Sequence, residues 1–134
     1  MNSSGNLAYK QMFGTKLLMI ALWLAGPLRI GSVTWTPEAV DPENRTGRVV
    51  LEYVLDVPAE EMEGLYVQIS FTKDNIFYWK DDFAVTSRSG RRIGELEDLE
   101  LDDGPSGPVL YDAEFTLFDH TGKKLDSNVQ QIPL

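Results

Sequence analysis

The chain contains no cysteine and a single histidine, His120. Without thiols there is no disulfide framework, thiolate nucleophile, zinc–thiolate site or iron–sulfur ligation, and one imidazole cannot build a multi-histidine metal cage. Positive charge is scarce as well: 12 Lys+Arg stand against 21 Asp+Glu, a formal net charge of -9. Nucleic acid is held through phosphate neutralisation by a basic face, so this balance excludes it as a partner. No repeat or low-complexity bias is present either. What remains is a chain of 134 residues, 43% hydrophobic and 25% charged, which suits one globular domain and is too apolar for disorder.

The charge is unevenly spread. Residues 1–32 hold Lys10, Lys16, Arg29 and no acid, so all 21 acidic residues fall in the remainder. Behind Lys16, residues 17–25 (LLMIALWLA) form an apolar run with the length and flank of a secretory h-region, well short of the roughly 20 residues that span a bilayer. Leu17, Leu18, Ile20, Leu22 and Leu24 cover every side of a helix, a pattern of complete burial. We therefore expect residues 1–28 to be an apolar helical segment serving as export signal or anchor. The body, residues 29–134, is then extracytoplasmic: periplasmic, secreted or membrane-anchored. A helix packed on the domain is the competing reading. Small residues are poorly placed for cleavage around Gly26-Pro27, and the absence of cysteine excludes bacterial lipid attachment. Asn2-Ser3-Ser4 and Asn44-Arg45-Thr46 match the glycosylation sequon, a tripeptide that also arises by chance.

From about Ile30 onward the dominant hydrophobic period is two. Val49, Leu51, Tyr53, Leu55 and Val57 alternate with a mixed set, as do Leu65, Val67, Ile69 and Phe71, and then Val109, Tyr111, Ala113, Phe115 and Leu117. Each segment loses its buried set to water on a one-residue slip, so register is strongly specified. Weaker strands are expected at 31–36, 76–79, 83–86 and 96–101. Turn signals separate them, including Ser87-Arg88-Ser89-Gly90 and Asp119-His120-Thr121-Gly122. The last suits a type I turn followed by a left-handed residue, which pairs 109–118 with 123–132 as a hairpin. Seven to eight short strands without helical patterning predict an all-β domain, an antiparallel β-sandwich of immunoglobulin-like topology, with an open barrel as alternative. Trp35, Tyr53, Phe71, Tyr111 and Phe115 are the rings expected to meet between the sheets.

Three constellations carry candidate chemistry. Residues 76–83 (IFYWKDDF) are the densest aromatic patch, and strict alternation places Phe77 and Trp79 on the face opposite Ile76 and Tyr78. Phe77, Tyr78, Trp79 and Asp81 are the candidate ligand-binding residues, because a ring beside a carboxylate suits a carbohydrate or peptide. Burial on both faces is the plainer reading of the same strand. Glu95, Glu97, Asp98, Glu100, Asp102 and Asp103 place six carboxylates within nine residues. Asp98, Glu100, Asp102 and Asp103 are the candidate calcium ligands, although the spacing is not that of an EF-hand and a solvated acidic edge is the plainer reading of the run. Arg88, Arg91 and Arg92 precede that run and are expected to pair with it across a hairpin.

Nothing marks a catalytic centre: His120 lies in an expected turn, no Gly-x-Ser-x-Gly is present, and the domain has little room for a deep cleft. The expectation is a non-enzymatic, exported or membrane-tethered binding or accessory module with a protein partner, no cofactor, and membrane contact only through its leading segment. A cytoplasmic carrier of an apolar or lipid ligand, closed by the N-terminal helix, is one alternative. A calcium-stabilised adhesive or carbohydrate-binding module is another.

Overall fold

The computed structural model describes residues 28–101 and 107–134. The expected apolar helix at 17–25, and Asp102 and Asp103 of the expected calcium set, lie outside the described residues. Among the described residues, seven strands follow one another: β1 (Arg29–Asp41), β2 (Thr46–Asp56), β3 (Tyr66–Lys73), β4 (Ile76–Ala84), β5 (Ser89–Leu96), β6 (Leu110–Phe118) and β7 (Lys124–Pro133), with one 3-10 turn at Ala59–Glu61. They form a three-stranded sheet in the order β1-β2-β5 and a four-stranded sheet in the order β4-β3-β6-β7, with every pairing antiparallel. The two sheets make a β-sandwich.

The period-two segments account for the interior. Val49, Leu51, Tyr53 and Leu55 on β2, Val67, Ile69 and Phe71 on β3, and Tyr111, Ala113, Phe115 and Leu117 on β6 are all buried. The five expected rings meet between the sheets: Phe71 lies 6.1 Å from Trp35 and 5.2 Å from Tyr111, and Tyr53 lies 5.2 Å from Phe115, centroid to centroid. At about 25 cal/mol per Å² of apolar surface removed from water, each such ring contributes several kcal/mol of gross transfer energy. The β6–β7 hairpin forms where expected. Its turn carries Gly122 at φ 86, and Asp119 Oδ1 accepts the N–H groups of Thr121 and Lys123 and the hydroxyl of Thr121.

Three local expectations are corrected. Residues 76–79 and 83–86 are not two strands: β4 runs through Lys80-Asp81-Asp82, whose charges sit at a sheet edge. The strand expected at 96–101 ends at Leu96, and the strand proper, β5, begins at Ser89 within the expected turn. Gly90 closes one of the expected turn signals, and Gly94 follows it in the same strand. In the fold they lie beneath the rings of Tyr53 and Trp79, where any Cβ would collide. β1 extends past the expected Thr36 through Pro37 to Asp41, which an edge strand tolerates, and it is bulged between Ile30 and Ser32 and again between Glu38 and Asp41.

Side chains close both open seams of the sandwich. Along β1 and β7, Gln130 Nε2 donates to the Val33 carbonyl at 2.8 Å, and the Ile30 N–H donates to Asp126 Oδ2 at 2.9 Å. Along β4 and β5, Arg92 Nη1 bonds Asp81 Oδ2 at 3.0 Å while its guanidinium lies 3.9 Å above the Phe83 ring. Trp79 covers Gly94 and meets Trp35 edge-on at 6.2 Å. The Trp35 indole N–H is buried with no hydrogen-bond partner among the described residues.

Candidate functional site

The site is built from the free edges of the two sheets. A two-residue turn, Asp74-Asn75, joins β3 to β4 with both residues at positive φ (51 and 66), the conformation of a type I′ hairpin. Immediately after it the ladder slips: Phe71 pairs with Trp79 but Thr72 pairs with Phe77, leaving Tyr78 as an extra residue in a β-bulge.

This bulge overturns the strict alternation expected of the aromatic stretch. Tyr78 and Trp79, although adjacent, both pack against the core, Tyr78 edge-on to Tyr111 at 5.1 Å and Trp79 edge-on to Trp35. Ile76 and Phe77 are instead left 56% and 57% exposed. Of the four expected ligand-binding residues, Phe77 is therefore at the surface, Tyr78 is half-buried at the margin, and Trp79 is part of the seam. Asp81 is the acceptor of the Arg92 ion pair across that seam.

Among the described residues, the arginine cluster does not pair with the acids that follow it. β5 lies beside β2 in a register that sets Arg91 opposite Glu52 and Arg48 opposite Glu95. The ion pairs follow from that register: Arg91–Glu52 at 3.9 Å and Arg48–Glu95 at 3.3 Å. Glu100 is taken by Lys73 at 3.1 Å, and Lys73 also reaches Asp74 at 2.7 Å. These hydrogen bonds, Asp74 first and Glu100 second, hold the Lys73 ammonium well above its ordinary pKa. Nor do the acids share one extended strand. Glu95 lies within β5, whereas residues 97–101 form an irregular connection with Asp98 at φ 54. Reciprocal bonds pin that connection: the Leu99 N–H donates to the Arg45 carbonyl, Arg45 Nε donates to the Leu99 carbonyl, and Leu99 is fully buried. Among the described residues, no group of three or more His, Asp or Glu side chains is placed to hold a metal ion.

The aromatic stretch and the acidic run, separate in sequence, meet at one place. A shallow cleft of about 310 Å³ has Ile76, Phe77 and Tyr78 on one wall and Glu95, Glu97 and Asp98 on the other. One wall offers apolar contact and ring faces, the other three carboxylates, an arrangement that can take an apolar segment with a basic rim. Sequence reasoning found both walls but not their meeting, because nothing local encodes that β4 and β5 are the facing edges of different sheets.

No protein-family model matches the chain, and no curated protein matches it in sequence. Among solved structures, the chain is similar to a Bifidobacterium dentium beta-glucuronidase complexed with coumarin-3-O-glucuronide, at a TM-score of 0.61 and 16% identity. The likeness takes in 81% of this chain and 18% of the glucuronidase, so what is shared is a β-sandwich that forms a small part of a much longer protein.

Proposed function

We propose that this domain is a non-enzymatic binding or accessory module, exported or tethered by its leading apolar segment, that engages a protein partner at the cleft between β4 and β5. The observation that carries the reading is the pair Ile76 and Phe77, more than half exposed at a free sheet edge and facing Glu95, Glu97 and Asp98. Edge strands are ordinarily shielded by charge or irregularity, and contiguous exposed apolar side chains at such an edge mark a contact surface. The carboxylates favour a partner segment carrying Lys or Arg beside an apolar anchor.

The immunoglobulin-like topology is part of the same reading. The orders β1-β2-β5 and β4-β3-β6-β7 are those of a sandwich whose fifth strand returns to the first sheet. The Tyr111 hydroxyl, near the start of β6, bonds back to the backbone of Glu100 like the tyrosine corner of that architecture. Occurrence of the fold as a fraction of a long glucuronidase supports an accessory role, a sandwich that contributes contact within a larger assembly.

The test uses a photo-crosslinking amino acid at position 77, with position 34 on the outer face of the three-stranded sheet as control, in cells of the native host. One discrete protein adduct at 77, lost on Glu97→Lys plus Asp98→Lys and absent at 34, is the expected result. Equal labelling at both positions overturns it. Intact N-terminal residues on soluble protein recovered from the same cells would refute export.

A further inference from the structure

The outer face of the four-stranded sheet holds a second groove of about 310 Å³, separate from the acidic cleft and sharing only Phe77 with it. Its floor is made of neutral hydrogen-bonding side chains, Gln68 and Ser70 from β3 and Thr116 from β6. Gln68 and Thr116 are cross-strand partners, so their spacing is set by the ladder. Thr116 is a polar residue buried to 7% exposure on this outward face, a floor enclosed by its neighbours rather than open to solvent. Phe77 flanks one side and Phe118, stacked on Tyr66 at 5.0 Å, the other.

Charge decides the occupant. In an acidic protein, this groove collects Lys80 and Lys124 against one carboxylate, Glu114. Arg29, Arg48, Lys73, Arg91 and Arg92 are spent in ion pairs, whereas Lys80 and Lys124 make none among the described residues. Lys80 Nζ lies 5.1 Å from the centre of the Phe77 ring, so one ligand can touch cation and ring together. An ammonium with no ion-pair partner among the described residues, beside an aromatic face and a floor of amide and hydroxyl groups, matches a ligand that combines an anion, a C–H-rich face and many hydroxyls. A phosphate alone has no use for the rings, and an acidic peptide has little use for the polar floor.

We propose that this groove binds an acidic saccharide, with a sugar carboxylate held by Lys80, its C–H face against Phe77, its hydroxyls on Gln68, Ser70 and Thr116, and Lys124 adding positive charge from the opposite edge strand. The two sites share Phe77 but differ in their charged groups, so that Glu97→Lys plus Asp98→Lys leaves the groove's lysines intact and the lysine changes leave the cleft's carboxylates intact.

Two-dimensional NMR of the protein titrated with a hyaluronan disaccharide tests it, with cellobiose and hexaglutamate as the neutral and non-sugar controls. Saturable shifts confined to Gln68, Ser70, Thr116 and their neighbours are expected, with affinity at least about fivefold weaker for cellobiose and for hexaglutamate. Lys80→Gln plus Lys124→Gln, both exposed and outside the core, should remove the preference over cellobiose while preserving spectral dispersion. Equal binding of cellobiose overturns the role of charge. Equal binding of hexaglutamate overturns the saccharide, and scattered or absent shifts up to about 20 mM ligand overturn the site.

Discussion

At the scale of single residues, Tyr111 shows how one side chain joins the core to the loop that borders the candidate cleft. Its ring is buried against Phe71, while its hydroxyl accepts from the Glu100 N–H and donates to the Glu100 carbonyl, both at 2.7 Å. Tyr111→Phe keeps the ring and leaves both Glu100 groups to find water, which should cost about 1–3 kcal/mol in urea unfolding and raise amide exchange at Glu100. The phenol also carries a pH signature. Burial raises the pKa of Tyr111 and of Tyr53 above the ordinary value of 10.0, though hydrogen bonding to Glu100 in the first case and Arg92 in the second work against it. A raised folded-state pKa means that the unfolded chain releases its proton first. The associated stability is therefore fully present below pH 10 and is lost as pH rises through the folded-state values. Tyr111→Phe should make that alkaline decline shallower, and an unchanged slope in melts between about pH 8 and 12 would count against the assignment. Sequence pattern placed the Tyr111 ring in the core; the hydroxyl's partner was invisible because Glu100 sits in a connection with no regular period.

At the scale of elements, β5 was the strand least readable in advance, and its glycines explain why. Gly94 is a strand residue because the Trp79 indole occupies the space its side chain would need, and Gly90 stands in the same relation to Tyr53. Propensity treats both as breakers, whereas packing makes them the positions where a ring approaches backbone. Gly94→Ala should destabilise the domain by about 1–3 kcal/mol through overpacking, measured by chemical denaturation. Combining it with Trp79→Leu should recover part of that loss, and strict additivity of the two changes would show that the contact is not the cause. β4 teaches the converse. Its aromatic density was plain in the sequence, but the bulge at Tyr78 decided which rings face water, and a bulge set by cross-strand register leaves no local sign.

At the scale of the whole molecule, stability rests on two sheets whose edges are joined by side chains rather than by a continuous ladder. Arg92 is the principal link between β4 and β5, since one guanidinium bonds Asp81 and covers Phe83. Arg92→Ala removes both interactions and should cost more than Asp81→Asn, which removes only an ion pair more than a third exposed and worth at most about 1 kcal/mol. Equal losses in matched thermal melts would show that the cation–π contact contributes nothing.

The sequence by itself determined the layers and the interior: period-two burial on β2, β3 and β6 specifies which face is dry, and a register slip would expose every inward ring. It also determined the β6–β7 turn, because Asp119 and Gly122 satisfy local backbone geometry without help from distant residues. Only the tertiary structure decided which charges pair, which of three neighbouring aromatic residues reaches solvent, and that an aromatic edge and an acidic loop share one cleft. Those outcomes depend on which strands lie side by side across and between sheets, a matter of long-range packing energy that neither residue type nor spacing records.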